Sequence, residues 1–130
     1  MLQQNQSVAI TETARKVFIR GLEFDAFIGA YPVEMERRQR IRIDLTLELA
    51  PPDKPIADNI DNVVCYHKIS TAVGDLLDEG HIKLVETLAE RILDLALGHP
   101  LVGAATVRIE KPMAIDHADG VGVEIRRAKG

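Results

Sequence analysis

A chain of 130 residues, 46% of them hydrophobic and 28% charged, is long enough to bury the core of one domain. A formal net charge of −4, a sequence pI near 5.5 and arginines scattered in pairs exclude the basic stripe of a nucleic-acid binder, so no nucleic-acid partner is expected. The lone Cys65 excludes an internal disulfide, and no apolar run approaches the roughly 20 residues that span a bilayer; with no charged-then-apolar leader, a cytoplasmic chain without membrane contact is expected.

Residues 1–16 are polar, Gln- and Thr-rich and without period, and are expected to form a tail outside a single domain over 17–130. Val17 to Phe27 is β-branched and aromatic and reads as a first strand, leading into a turn over Gly29 to Pro32. From Ile41 to Leu49 apolar and polar residues alternate strictly, the pattern of an antiparallel strand with one wet side. The proline-rich stretch APPDKPIADN must then be a loop, after which Asp61 or Asn62 is expected to cap a helix. That helix carries Tyr66, Ile69, Val73 and Leu76 on one stripe and ends by Gly80. A second helix starts near Lys83, presents Leu84, Val85, Leu88, Ala89, Ile92, Leu95 and Ala96, and closes at Gly98. Strands over roughly 103–111 and 121–127 complete the order ββααββ. Two apolar helix faces need a sheet to cover, so the expected class is α+β: an antiparallel four-stranded sheet with two helices on one face. Four strands leave two edges for a neighbouring subunit to pair, and an oligomer is expected.

Lys111 stands out. Ala105, Val107 and Ile109 form an inward row, Lys111 is its next position, and Pro112 stops the strand. An ammonium there needs a partner or a task, unless the strand simply ends and the side chain turns to solvent. Glu86 lies in the first turn of the second helix, where the helix dipole alone accounts for a carboxylate. Yet it precedes Leu93 and Leu97 by seven and eleven residues, nearly the same side of the helix, so a second chain is expected to cover that face. Glu34 sits in the turn after the first strand and Tyr66 beside Cys65. The four histidines, His67, His81, His99 and His117, show no HxH, HExxH or Cys-His spacing, and no metal site is expected.

Four strings, FDAFIGAYPVEMERRQRIRIDLTLELA, NVVCYHKI, KLVETLAERI and VRIEKPMAIDHADGVGVEI, resemble in this order the dihydroneopterin aldolase family of folate biosynthesis, and the likeness extends over about residues 17–127. It implies the tunnelling fold, in which ββααββ chains form a ring, commonly two stacked tetrameric rings making a homo-octamer with sites at subunit interfaces. It also implies a metal-free and cofactor-free retro-aldol cleavage of 7,8-dihydroneopterin, a pterin, to 6-hydroxymethyl-7,8-dihydropterin and glycolaldehyde. By the same resemblance Glu86 grips the amino-pyrimidine edge of the pterin, Val85 and Val64 help bind it, and Tyr66 reaches the site of a neighbouring subunit. Lys111, Glu34 and Tyr66 then form the acid–base set. Two departures are evident: Ile28-Gly29 stands where many relatives have His-Gly, and the segment before the closing strand is shorter than in many. The alternatives are an epimerase acting at C2′ of dihydroneopterin or its triphosphate, and a non-catalytic pterin-binding module.

Overall fold

The computed structural model describes residues 8–130; of the expected tail, residues 1–7 lie outside the described residues, while 8–14 are exposed and carry no helix or strand. Strand β1 (Arg15–Ala26) begins two residues before the expected Val17. Its inward row, Val17, Ile19, Leu22, Phe24 and Ala26, steps by three between Ile19 and Leu22, which in a regular strand would send half the row to the wrong face. A bulge absorbs the extra residue, with Gly21 at φ +70° and its amide donating to Asp44 Oδ1 at 2.7 Å.

After β1 comes α1, a single turn over Pro32–Met35 inside the stretch expected to be only a turn. Strand β2 (Gln39–Leu49) pairs antiparallel with β1 and with β3 (Val102–Lys111), and β3 pairs with β4 (Val121–Ala128). The sheet order is β1-β2-β3-β4, the expected four-stranded antiparallel sheet, with β1 and β4 at its edges. Helix α2 (Tyr66–Leu77) packs over β1, and α3 (Val85–Leu97) over β3 and β4.

Ile41, Ile43, Leu45 and Leu47 of β2 meet Ala105, Val107 and Ile109 of β3 beneath the helices, each nearly or wholly removed from water. Each such Leu or Ile stabilises the fold by about 1.5–3 kcal/mol. Three expectations change here. Helix α2 starts only at Tyr66, because Val63 is extended and Val64 is drawn into the core; the nearby cap is Asn59, whose Oδ1 accepts from the Asp61 amide at 2.9 Å to close a 3-10 turn over Ile60–Asn62. On α2 the buried set is Ile69, Val73 and Leu77, with Leu76 on its flank, while Tyr66 is 64% exposed because nothing among the described residues covers the first turn. On α3 Leu93 is 0% exposed within the single chain. This helix spans two strands, so its buried stripe is wide and takes in Leu93 together with Leu88, Ala89, Ile92 and Ala96. The inference that Leu93 marks a face awaiting a second chain is therefore overturned.

Candidate active site

Lys111 is the last residue of β3, on the helix side of the sheet in the row of Ala105, Val107 and Ile109. It does not turn out to solvent. Its Nζ donates to Glu34 Oε2 at 2.8 Å, and both side chains are 15% exposed. An ammonium ending an apolar row has thus found a carboxylate 77 positions away in sequence.

The carboxylate is held from several sides. Gln39 Nε2 donates to the same Oε2 at 2.8 Å and to the Ile28 carbonyl oxygen at 2.6 Å. The Tyr31 amide donates to Oε1 at 3.3 Å, Glu34 reaching back to the start of α1 as in a capping box. Gly29, at φ +132°, lies against this carboxylate so closely that a Cβ there would overlap it. Desolvation works to raise the Glu34 carboxyl, but the bonds from Lys111, Gln39 and the Tyr31 amide, with the Lys111 charge, outweigh it and hold the group below its ordinary value of 4.5.

The loop carrying Gly29 is tied to the approach to α3. Ile28 and Ile82 form a parallel bridge, with the Gly29 amide donating to the Ile82 carbonyl at 2.9 Å and the Ile82 amide to the Phe27 carbonyl at 3.2 Å. His81 Nε2 lies 2.7 Å from the Gly29 carbonyl oxygen; since a carbonyl only accepts, the ring presents its Nε2–H. The same turn of chain is thereby fixed to both the Glu34 cradle and the segment leading to Glu86.

Around the ion pair is an open cleft of about 610 Å³, lined by Tyr31, Val33, Met113, Ile115 and Val121 together with Arg37, Arg38, Gln39 and Arg40. Its size and mixed lining suit a small ligand with both apolar and polar parts. Of the residues expected at the site, Lys111 and Glu34 share this cleft. Glu86 is exposed in the first turn of α3 and makes no side-chain bond among the described residues, and its neighbour Val85 packs on the core. Val64 lines a second cleft, of about 540 Å³, with Leu49, Pro52 and Leu101, and Tyr66 lines neither. Gln39 and His81 were not anticipated as supports. Gln39 did leave a signal: it heads the inward row of β2 just as Lys111 ends that of β3, a polar residue prolonging an apolar alternation. His81 left none, because its contact is with a backbone carbonyl. Among the described residues, no group of three or more His, Cys, Asp or Glu side chains could hold a metal ion.

The sequence model of the FolB family, dihydroneopterin aldolase, matches residues 17–126, nearly the whole folded part. The chain belongs to the dihydroneopterin aldolase family. It is 34% identical to the dihydroneopterin aldolase of Bacillus subtilis over 117 residues, covering 88% of this chain and 98% of that one. It is also 27% identical to a dihydroneopterin triphosphate 2′-epimerase of Pseudomonas aeruginosa, covering 85% of this chain and 89% of the relative. Among solved structures, a Burkholderia dihydroneopterin aldolase bound to guanine superposes with a TM-score of 0.79 at 34% identity, covering 90% of this chain and 93% of that one. The family expected from the four strings is the one found, as is the α+β fold expected from the alternating strands and the two apolar helix faces. No described helix is long and apolar enough to cross a membrane.

Proposed function

We propose that this protein is a dihydroneopterin aldolase, cleaving the C1′–C2′ bond of 7,8-dihydroneopterin to give 6-hydroxymethyl-7,8-dihydropterin and glycolaldehyde. The observation that carries this reading is the Lys111–Glu34 pair, 2.8 Å apart and mostly shielded, lining an open cleft. A retro-aldol step needs a base for the C2′ hydroxyl proton and a sink for the electron pair of the breaking bond. The ring C6=N5 bond of the substrate is an imine and supplies that sink. When the pair takes the hydroxyl proton and delivers one to N5, C1′ collapses into an enamine and glycolaldehyde leaves. Returning a proton to C1′ and withdrawing the one on N5 completes the turnover, with no covalent link to the lysine.

Glu86 suits the other end of the substrate. The pterin 2-amino group and N3–H are parallel donors, which one carboxylate meets with two oxygens, and guanine in the Burkholderia relative offers the same edge. Val85 and Val64 are read as apolar contacts to the ring. Tyr66 is read as the phenol that a neighbouring copy inserts to hand a proton to C1′, consistent with its 64% exposure in its own chain. The sheet edges at β1 and β4 offer the pairing surfaces for a ring, and an octamer of two stacked tetramers in the cytoplasm is the assembly proposed. The test is incubation of purified protein with 7,8-dihydroneopterin in the presence of chelator, followed by identification of both fragments. Stoichiometric glycolaldehyde and hydroxymethyl-dihydropterin are expected. Formation of the C2′ epimer alone would assign an epimerase, and saturable binding without turnover a pterin-binding module.

A further inference from the structure

Gly29 is the seat of the Glu34 carboxylate, and a glycine at φ +132° has wide backbone freedom unless something outside it takes that freedom away. Both of its polar groups are tied. Its amide donates to the Ile82 carbonyl oxygen at 2.9 Å and its carbonyl accepts from His81 Nε2 at 2.7 Å, so two consecutive residues of the approach to α3 hold one glycine at both ends. The Ile82 bond is made by backbone alone; the His81 bond is the one a side chain supplies. The imidazole is itself steadied by Phe27, the two ring centroids 6.5 Å apart at a tilt of 38°. Gly29 is buried while His81 keeps an exposed flank, so the ring is not there to fill the core. The segment from Ile28 to Tyr31 carries three supports of Glu34: the Ile28 carbonyl that anchors Gln39, the bare face of Gly29 against the carboxylate, and the Tyr31 amide donating to Oε1. The carbonyl that His81 holds lies in the middle of that segment, one peptide before the N–H that meets Oε1.

We infer that His81 is a positioning residue for the cleavage: through the Gly29 carbonyl it holds the seat of Glu34, and so the Lys111–Glu34 pair, at the setting in which protons pass to and from the substrate. It touches no reacting atom. The inference rests on the aldolase reading of the site. Its consequence is a division of effects. Glu86 stays on α3, whose place is set by the burial of Leu88, Ala89 and Ile92, so affinity is kept, whereas proton transfer depends on close placement of the pair and slows when that is lost.

The test measures kcat and KM for 7,8-dihydroneopterin in the native protein and in His81→Leu, His81→Asn and His81→Gln, with urea midpoints taken alongside. A glutamine amide nitrogen stands about where Nε2 does, while that of asparagine stands where Nδ1 does, short of the carbonyl. His81→Leu and His81→Asn are expected to lower kcat by about tenfold with KM within about twofold of native, and His81→Gln to bring kcat back to within about threefold. Asparagine and glutamine are alike in polarity and differ in reach, so their comparison decides the matter even where His81→Leu does not fold. A kcat unchanged in His81→Asn, a loss carried by KM, or equal losses in the asparagine and glutamine variants overturns the inference and leaves the aldolase reading standing. If the native protein does not cleave the compound, the aldolase reading fails and carbon-13 titration of the Glu34 carboxyl decides the inference. A midpoint that moves up toward the ordinary 4.5 in His81→Asn and stays at the native value in His81→Gln supports it, and one midpoint common to all the proteins overturns it.

Discussion

Replacing Lys111 by methionine keeps an unbranched side chain only one atom shorter and removes its charge, which isolates what the ammonium does for Glu34. Exposed ion pairs are worth about 0.2–1 kcal/mol, and stripping one partner from a fully buried pair costs about 3–5 kcal/mol. With both side chains 15% exposed, and with Glu34 keeping its bonds from Gln39 and the Tyr31 amide, the expected loss for Lys111→Met is about 2 kcal/mol at pH 7. A double-mutant cycle with Glu34→Leu, followed by urea unfolding at one protein concentration, is expected to give a coupling of about 1–2 kcal/mol. The pH dependence carries a sign. Because the folded chain holds the Glu34 carboxyl below 4.5, the pair contributes fully above that value and its contribution is lost as pH falls through the lower, folded value. Native and Lys111→Met unfolding free energies should therefore converge in acid. A coupling below about 0.3 kcal/mol, the level of an exposed pair, or a gap that stays constant down to pH 3, would refute this reasoning.

The remaining expectations follow from the same geometry. Gly29→Ala strains a φ of +132° and pushes on the Glu34 carboxylate, so unfolding should become easier by about 1–3 kcal/mol and kcat should fall, both read on one preparation. Lys111→Ala should lower kcat by about 10² or more with a small change in KM, while Glu86→Ala should mainly raise KM; equal effects on both constants in both variants would reject this division of labour. Tyr66→Phe should alter the product ratio, and mixed oligomers of Tyr66→Phe and Lys111→Ala chains should regain the native ratio at sites that combine an intact Lys111 with a neighbour's Tyr66, which neither single-variant preparation contains. Leu93→Ala should cost about 2–4 kcal/mol in unfolding, as expected of a residue in its own chain's core rather than one covered by a partner.

Much of this was legible in the residues before any coordinates. The unbroken alternation of Ile41 to Leu49 marks β2, and the same alternation continued to Lys111 marks a charge that had to be answered inside the fold. What stayed hidden has physical reasons. Helix α1 is one turn long, too short for a period to show, and the proline and glycine around it read equally well as a turn. The bulge at Gly21 is a register adjustment that only the pairing with β2 reveals. Leu93 was misread because the width of a helix stripe depends on how many strands lie beneath it. His81 acts through the Gly29 carbonyl, which no side-chain pattern advertises, and Gln39, though visible as a polar residue prolonging the inward row of β2, gives no sign in sequence that its partners are Glu34 and the Ile28 carbonyl. Glu86, Tyr66, Val85 and Val64 could be carried only by family resemblance, since within one chain they do not join the Lys111 cleft.

The measurement that bears most directly on the chemistry uses 5,6,7,8-tetrahydroneopterin, which keeps the amino-pyrimidine edge and the polyol but has lost the C6=N5 double bond. It should bind with an affinity close to that of the dihydro compound and release no glycolaldehyde over many turnovers' worth of time. Glycolaldehyde appearing from the tetrahydro compound would mean that the electron sink lies in the protein and not in the substrate.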